Sequence, residues 1–253
     1  MAPESLWPGT VVVKDKYQFE CGNPLEVWRA QTLFTKEPGT VAWLRREIKP
    51  DDVFFDIGAN IGLYTVVAAK QGAFVIAFEP HAANIQSLLT NVRLNGLLDR
   101  VVVSPRPLAD LARVLDFNYF SLEPGSSDSQ LGHTRSEKGP SFTPVRIQMM
   151  MATTLDTVVY DEGARPPSLI KLDVDGNELR ILHGGSKLLD SGAVRSIQVE
   201  MHPNSDQAIA AYMEQSGYGL VERHYTSIGK KHMENGIPPD QIAHNAIFQR
   251  GKA

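Results

Sequence analysis

Val53-Phe54-Phe55-Asp56-Ile57-Gly58-Ala59-Asn60-Ile61-Gly62-Leu63-Tyr64-Thr65 reads as three things in a row: an apolar strand stopped by an acid, a glycine turn, and the start of a helix. The helix reads from Leu63 to Gln71, where Gly72 stops it. A second apolar run, Phe74 to Phe78, is again closed by an acid, Glu79. Pro80 opens the next helix, whose Ile85, Leu88, Leu89 and Val92 share a face, and Asn95-Gly96 ends it. Val101 to Val103 is a third strand. Strands apolar on both faces, alternating with helices, predict a buried parallel sheet covered by helices.

The same alternation resumes later. Leu169 to Val174 reads as a strand and Asn177 to Leu189 as mostly helix despite Gly184-Gly185. Ser196 to Glu200 reads as a strand and Ser205 to Gln215 as a helix ended by Gly217. The last runs, Gly219 to Arg223 and Asn245 to Gln249, have no helix-length pattern between them and are expected to pair antiparallel. Between the halves lies a segment rich in Ser, Gly and Pro, residues 121–144, flanked by strand-like Arg113 to Phe120 and Val145 to Met151. Loops of this length are commonly lids or floppy surface. The expected organisation is an N-terminal helical extension over residues 1–50, with a helix from Thr40 to Lys49, then one domain over 51–253 with an insertion at 113–150. Residues 1–35 are candidates for a cover over an acceptor pocket or for a homodimer contact.

Composition excludes several classes. The 253 residues carry a net charge of -4, so bulk basicity does not serve to hold nucleic acid. A single cysteine, Cys21, permits no internal disulfide and no Cys-rich zinc site, which suits a reducing, cytoplasmic setting. The opening MAPESLWPGTVVVKD lacks the pattern of a signal peptide, and no run is apolar enough to span a membrane.

The chemistry concentrates where the strands end. A glycine turn lets backbone N–H groups approach a ligand, and open α/β sheets bind ligands at the carboxyl ends of their strands. Glu79 ends the neighbouring strand, where a carboxylate can accept both hydroxyls of a ribose. A dinucleotide site wants a glycine where this chain has Asn60, and Asp56 would repel a pyrophosphate. Asp56 instead suits a cationic ligand with no phosphate, such as S-adenosylmethionine. A nicotinamide or other nucleotide and a purely structural turn are the competing readings.

Ile170-Lys171-Leu172-Asp173-Val174-Asp175-Gly176-Asn177-Glu178 brings three carboxylates to the end of another strand. Glu178 reads as an acid facing a helix N-terminus, and Asp175-Gly176 as an ordinary turn or a functional one. Asp173 ends a buried strand and so needs a partner or a ligand. Glu200 and His202 follow at the end of the next strand; for His202 a helix-capping role competes with a catalytic one.

These residues resemble one family. VFFDIGANIGLYT, FVIAFEP, Thr154-Leu155-Asp156, IKLDVDGNE and Val199 to His202 are similar to the FkbM-type methyltransferases. The resemblance runs from Ile48 to Phe248. It implies a class I methyltransferase Rossmann-like sheet of about seven strands, mostly parallel with the last antiparallel, flanked by helices. It implies S-adenosylmethionine as cofactor and a hydroxyl of a sugar, polyketide or other natural product as acceptor. Asp56, Gly58, Ala59, Asn60 and Gly62 match the cofactor turn and Glu79 the ribose acid, while Ala109 and Asp110 sit where such proteins contact adenine. The family usually has Glu at Asp175 and a small residue at Asn177.

For proton removal the candidates are Asp173 or His202, oriented by Glu200; the rival arrangement has all three binding Mg²⁺. His133 in the inserted loop is a further contributor to weigh. Protein or RNA methylation, and a binding module without catalysis, are the alternative functions. Methylation of a pyrimidine carbon needs a cysteine nucleophile, and Cys21 lies far from the sheet region.

Overall fold

The computed structural model describes residues 9–135 and 141–251. The expectation of a leader-free start falls largely on residues 1–8 and part of the inserted loop on 136–140; both lie outside the described residues.

The chain opens with β1 (Thr10–Lys14), β2 (Tyr17–Cys21), α1 (Pro24–Gln31), α2 (Pro38–Glu47), β3 (Val53–Ile57), α3 (Leu63–Lys70), β4 (Phe74–Phe78), α4 (Ala82–Leu94) and β5 (Val101–Ser104). The excursion follows as β6 (Arg113–Tyr119), β7 (Gln130–Leu131) and β8 (Arg146–Ala152). Then come β9 (Leu169–Leu172), α5 (Glu178–His183), α6 (Ser186–Asp190), β10 (Ser196–Met201), α7 (Asp206–Gln215), β11 (Tyr218–His224), α8 (Ser227–Glu234) and β12 (His244–Arg250).

One sheet of seven strands, ordered β11-β12-β10-β9-β3-β4-β5, organises the molecule. β3 runs parallel to β4 and β9, and β9 parallel to β10; β12 is antiparallel to both its neighbours. β3 and β9 are buried along their whole length, the burial expected of central parallel strands. Alternate residues feed two cores: Phe54 and Leu169 pack on one face of the sheet, Phe55 and Ile170 on the other. Among the described residues no helix is long and apolar enough to cross a membrane.

Three expectations change. The first fifty residues are not wholly helical, because a hairpin precedes the helices. Its turn holds Asp15 at φ 57°, and Tyr17, Phe19 and Cys21 alternate inward with Gln18 and Glu20. The side chains of Asn91 in α4 and of Asn95 at its C-terminal cap accept from the backbone N–H groups of Glu20 and Gln18, which fixes the hairpin to the domain. The helix expected over Asn177 to Leu189 is broken in two at Gly184-Gly185. A Cβ on Gly184 would stand 2.2 Å from the carbonyl oxygen of Ala109, so that crossing demands glycine. Finally, α8 occupies the connection between β11 and β12. Its start is set by the Thr226 side chain, which accepts from the Gly229 N–H, a signal independent of apolar periodicity.

The tightest approach lies under the glycine turn. Gly58 has φ 77°, and a Cβ there would fall 1.8 Å from the carbonyl oxygen of Asp173. A Gly58→Ala variant therefore meets both a left-handed backbone and a backbone clash. It is expected to lose roughly 2–5 kcal/mol of stability, read as a lowered denaturation midpoint with an unchanged denaturant slope.

Candidate active site

The carboxyl ends of β3, β4, β9 and β10 open into a cavity that includes Gly58, Asn60, Glu79, Asp173 and Glu200 in its wall. Strand direction explains the gathering. Parallel strands end together, so acids separated in sequence are delivered to one edge of the sheet.

The turn itself behaves differently from the expectation. The N–H groups of Gly58 and Ala59 both donate to the Phe78 carbonyl, at 2.9 and 3.2 Å. The Asn60 N–H donates to Glu79 at 2.7 Å and the Ile61 N–H to the Asn60 side chain. The turn's donors are spent on the end of β4 and on the turn, so they do not form a cradle for a ligand. Gly58 and Asn60 line the main cavity, Ala59 lines a smaller neighbouring one of about 450 Å³, and Gly62 starts α3 in left-handed conformation at φ 84°.

Asp56 is fully buried and lines neither cavity. Its Oδ2 accepts from the Thr65 hydroxyl at 2.6 Å, and its Oδ1 lies 3.9 Å from the Lys171 ammonium. The cation that answers this acid is the chain's own Lys171, so Asp56 is held inside the fold and does not face either cavity. Burial pushes the Asp56 carboxyl up, and Lys171 pulls against that shift.

Lys171, not singled out in the sequence, is the pivot. It is 1% exposed, donates to Asp173 at 2.9 Å, and sits 5.3 Å from the centre of the Tyr64 ring. A lysine inside the four-residue run Leu169–Leu172 was the available signal. Burial lowers its basicity, but Asp173 and Asp56 more than restore it, so the ammonium stays charged. Burial likewise pushes Asp173 up, and Lys171 and Lys36 together outweigh that, holding its carboxyl below the usual range. Glu200 behaves oppositely: burial and then the Asp173 charge raise it well above an ordinary glutamate. His202 Nε2 lies 3.1 Å from Glu200 Oε2, and the ring is buried behind it, outside the wall of the main cavity. Among the described residues no group of three or more His, Cys, Asp or Glu side chains is arranged to hold a metal ion.

Glu79 is 5% exposed, and one oxygen accepts from Asn60 while the other accepts from the His81 N–H at 2.9 Å. Burial pushes its carboxyl up to about 7, with those two N–H bonds opposing. Each oxygen keeps a lone pair for another donor, so the two hydroxyls of a ribose fit there. Leu108 and Ile181 add an apolar wall suited to a base. Ala109 and Asp110 are not part of that wall: the Ala109 N–H donates to Thr153, and Asp110 accepts from Arg180 at 2.8 Å.

The inserted loop closes over this cavity through specific bonds. The Ser126 carbonyl accepts from the Asn60 and Asn84 side chains at 2.8 and 3.1 Å, and the Asp128 N–H donates to Asp175 at 2.9 Å. Asn177 donates to Gln130, which itself donates to the Asp175 carbonyl. The two positions that differ from the usual family pattern thus face the loop. His133 is half-buried outside the cavity wall, its carbonyl accepting from Asn118. Glu178 is structural: one oxygen accepts from the N–H groups of Val174 and Gly176.

Comparison with known proteins identifies the family and the fold. Residues 56–220 match the model described as the methyltransferase FkbM domain. The hexuronic acid methyltransferase AglP of Haloferax volcanii is 29% identical over 182 residues, covering 72% of this chain and 68% of that protein. The 31-O-demethyl-FK506 methyltransferase FkbM of Streptomyces tacrolimicus is 29% identical over 179 residues, covering 62% and 67%. The crystal structure of methyltransferase FkbM from Methylobacillus flagellatus shares the fold, with a TM-score of 0.50 and 14% identity over 90% of this chain and 55% of that one.

Replacing Lys171 by Met leaves Asp56 buried without its cation. That variant is expected to lose about 3–5 kcal/mol in chemical denaturation. Adding Asp56→Asn in the same chain is expected to recover part of the loss, a coupling that a double-mutant cycle measures.

Proposed function

This chain belongs to the FkbM methyltransferase family, and on that premise we propose that it is an S-adenosylmethionine-dependent O-methyltransferase acting on a hydroxyl of a small molecule, such as a sugar or polyketide. The observation that carries the reading is Glu79 and Glu200 in the wall of one cavity. The first has free acceptor capacity for a ribose; the second is a carboxylate tuned toward neutrality. The names of two relatives, a hexuronic acid methyltransferase and a demethyl-FK506 methyltransferase, support an acceptor of this class.

When bound, S-adenosylmethionine supplies a methyl group already activated on a sulfonium. The protein's task is to align the acceptor oxygen and to receive its proton. Asp173 suits the second role poorly. Lys171 holds it ionised, and a carboxylate so stabilised is a weak base. Glu200 suits it well, because burial and the Asp173 charge raise its proton affinity toward that of a working base at neutral pH. His202, bonded to Glu200 Oε2, fixes which oxygen faces the cavity. Residues 126–129 of the inserted loop stand in the cavity wall, with Ser126 and Asp128 tied to the turn and to Asp175.

Calorimetric titration with S-adenosylhomocysteine, with NAD as control, tests the cofactor. Binding of the first alone is expected, and no binding of it would sink the reading. Glu79→Ala is expected to weaken that binding roughly ten- to hundredfold, the loss of charged hydrogen bonds to two hydroxyls.

Glu200→Gln is expected to keep cofactor affinity and to cut turnover roughly 10²–10⁴-fold on whichever hydroxyl acceptor a screen identifies. The base acts when ionised and its proton affinity is raised. In the wild type, turnover should therefore fall as pH drops through a value well above that of an ordinary glutamate. A rate flat down to pH 5 would exclude Glu200 as the base.

A further inference from the structure

Arg29 and Lys36 lie in the segment before residue 56, where the family match begins, yet both stand in the wall of the main cavity and of its smaller neighbour. Gly58, Asn60 and Asp173 are shared by the two cavities as well, so these two cations mark the place where they join. Arg29 comes from the last turn of α1 and Lys36 from the connection to α2.

Neither cation is consumed by its local contacts. Arg29 donates through Nε to the Gly125 carbonyl at 2.5 Å, an uncharged acceptor; among the described residues its terminal nitrogens have no hydrogen-bond partner. Lys36 lies 2.6 Å from Glu37, but Glu37 is buried and also accepts from the Tyr64 hydroxyl at 3.0 Å. The Lys36 side chain stays partly exposed, at 29%. Both cations act on the cavity's acids: the charge of Arg29 reaches Glu79, and that of Lys36 reaches Asp173.

The junction therefore offers an ionised carboxylate, Asp173, beside a guanidinium and an ammonium. A ligand part matching it carries a cation and an anion on neighbouring atoms. The amino-acid end of S-adenosylmethionine is such a group. Gly58 and Asn60 line both cavities, so the glycine turn connects the Glu79 side of the main cavity to this junction.

We propose that Arg29 and Lys36 form the subsite for the amino-acid carboxylate of the cofactor, with Asp173 facing its ammonium, so that the N-terminal segment completes the cofactor site. This rests on the reading of the cavity as an S-adenosylmethionine site. It gives α1 a task beyond covering the sheet, and it places a binding element outside the region that defines the family.

The test is calorimetric and needs no acceptor. S-adenosylhomocysteine is compared with its decarboxylated analogue, which keeps the ammonium and lacks only the carboxylate. Wild-type protein should bind the first at least tenfold more tightly, the scale of one charged hydrogen bond. Arg29→Ala and Lys36→Gln should each weaken S-adenosylhomocysteine about tenfold and leave the analogue's affinity unchanged, collapsing the ratio. Arg29→Lys should retain part of the preference, because it keeps the charge while losing the fork. Loss of Arg29 also frees the Gly125 carbonyl, so Arg29→Ala may not be read alone; a loosened loop weakens both ligands together, and Lys36→Gln lacks that defect. A ratio unchanged in both variants, or equal loss of both ligands in both, overturns the subsite. Wild-type protein that binds neither ligand overturns the cofactor reading with it, whereas wild-type binding with an intact ratio in the variants overturns the subsite alone.

Discussion

A lysine ammonium buried among carboxylates is the constraint on which the rest of the site depends. Lys171 sits on a central strand at 1% exposure, 2.9 Å from Asp173 and 3.9 Å from Asp56. Burying any of these charges alone is costly, and the two acids repel each other. With the ammonium between them all three stay inside the fold. The consequence reaches the next strand: burial, and then the charge of an ionised Asp173, raise the proton affinity of Glu200. One buried cation thereby differentiates two neighbouring carboxylates, leaving one a fixed charge and the other a group able to exchange its proton near neutrality.

Backbone contact sets the positions of these charges as firmly as electrostatics does. Gly58 presses against the Asp173 carbonyl, so the turn after β3 meets the residue after β9 with no room for a side chain between them. The N–H groups of Gly58 and Ala59 then bind the end of β4. Three adjacent strands are locked at their carboxyl ends, and the acids that follow each one inherit that rigidity. The more adaptable parts arrive from elsewhere. The inserted loop reaches the cavity through Ser126 and Asp128, and α1 reaches it through Arg29. Sites built on a rigid strand edge and closed by loops combine precise orientation with a variable acceptor pocket.

How much of this was legible in the chain depended on distance along it. The strand–turn–helix order, the acids closing each strand and the strands of the excursion follow from local patterns, and they stand in the structure. The hairpin at Thr10–Cys21 was also local, its inward Tyr17, Phe19 and Cys21 alternating with polar residues, but it was read as part of a helical extension. Asp56 was visible as an acid closing a strand and Asp110 as an acid after the third strand; their partners, Lys171 and Arg180, were not, because each lies far away in sequence. Gly58 was read as making room for a ligand; the neighbour it admits in the fold is the Asp173 carbonyl just past β9, which no local pattern reveals.

The sequence by itself determined the alternation of buried strands and amphipathic helices, the parallel sheet that follows from it, and the edge at which its acids collect. Those are properties of periodicity and of the chemistry of single residues. Only the tertiary structure decided which acid is answered by which cation, which N–H groups are already spent, and that Arg29 and Lys36 stand beside Asp173. Charge state and hydrogen-bond satisfaction are set by what lies within a few ångströms, and in a sheet whose neighbouring strands are distant in the chain that neighbourhood is assembled only on folding.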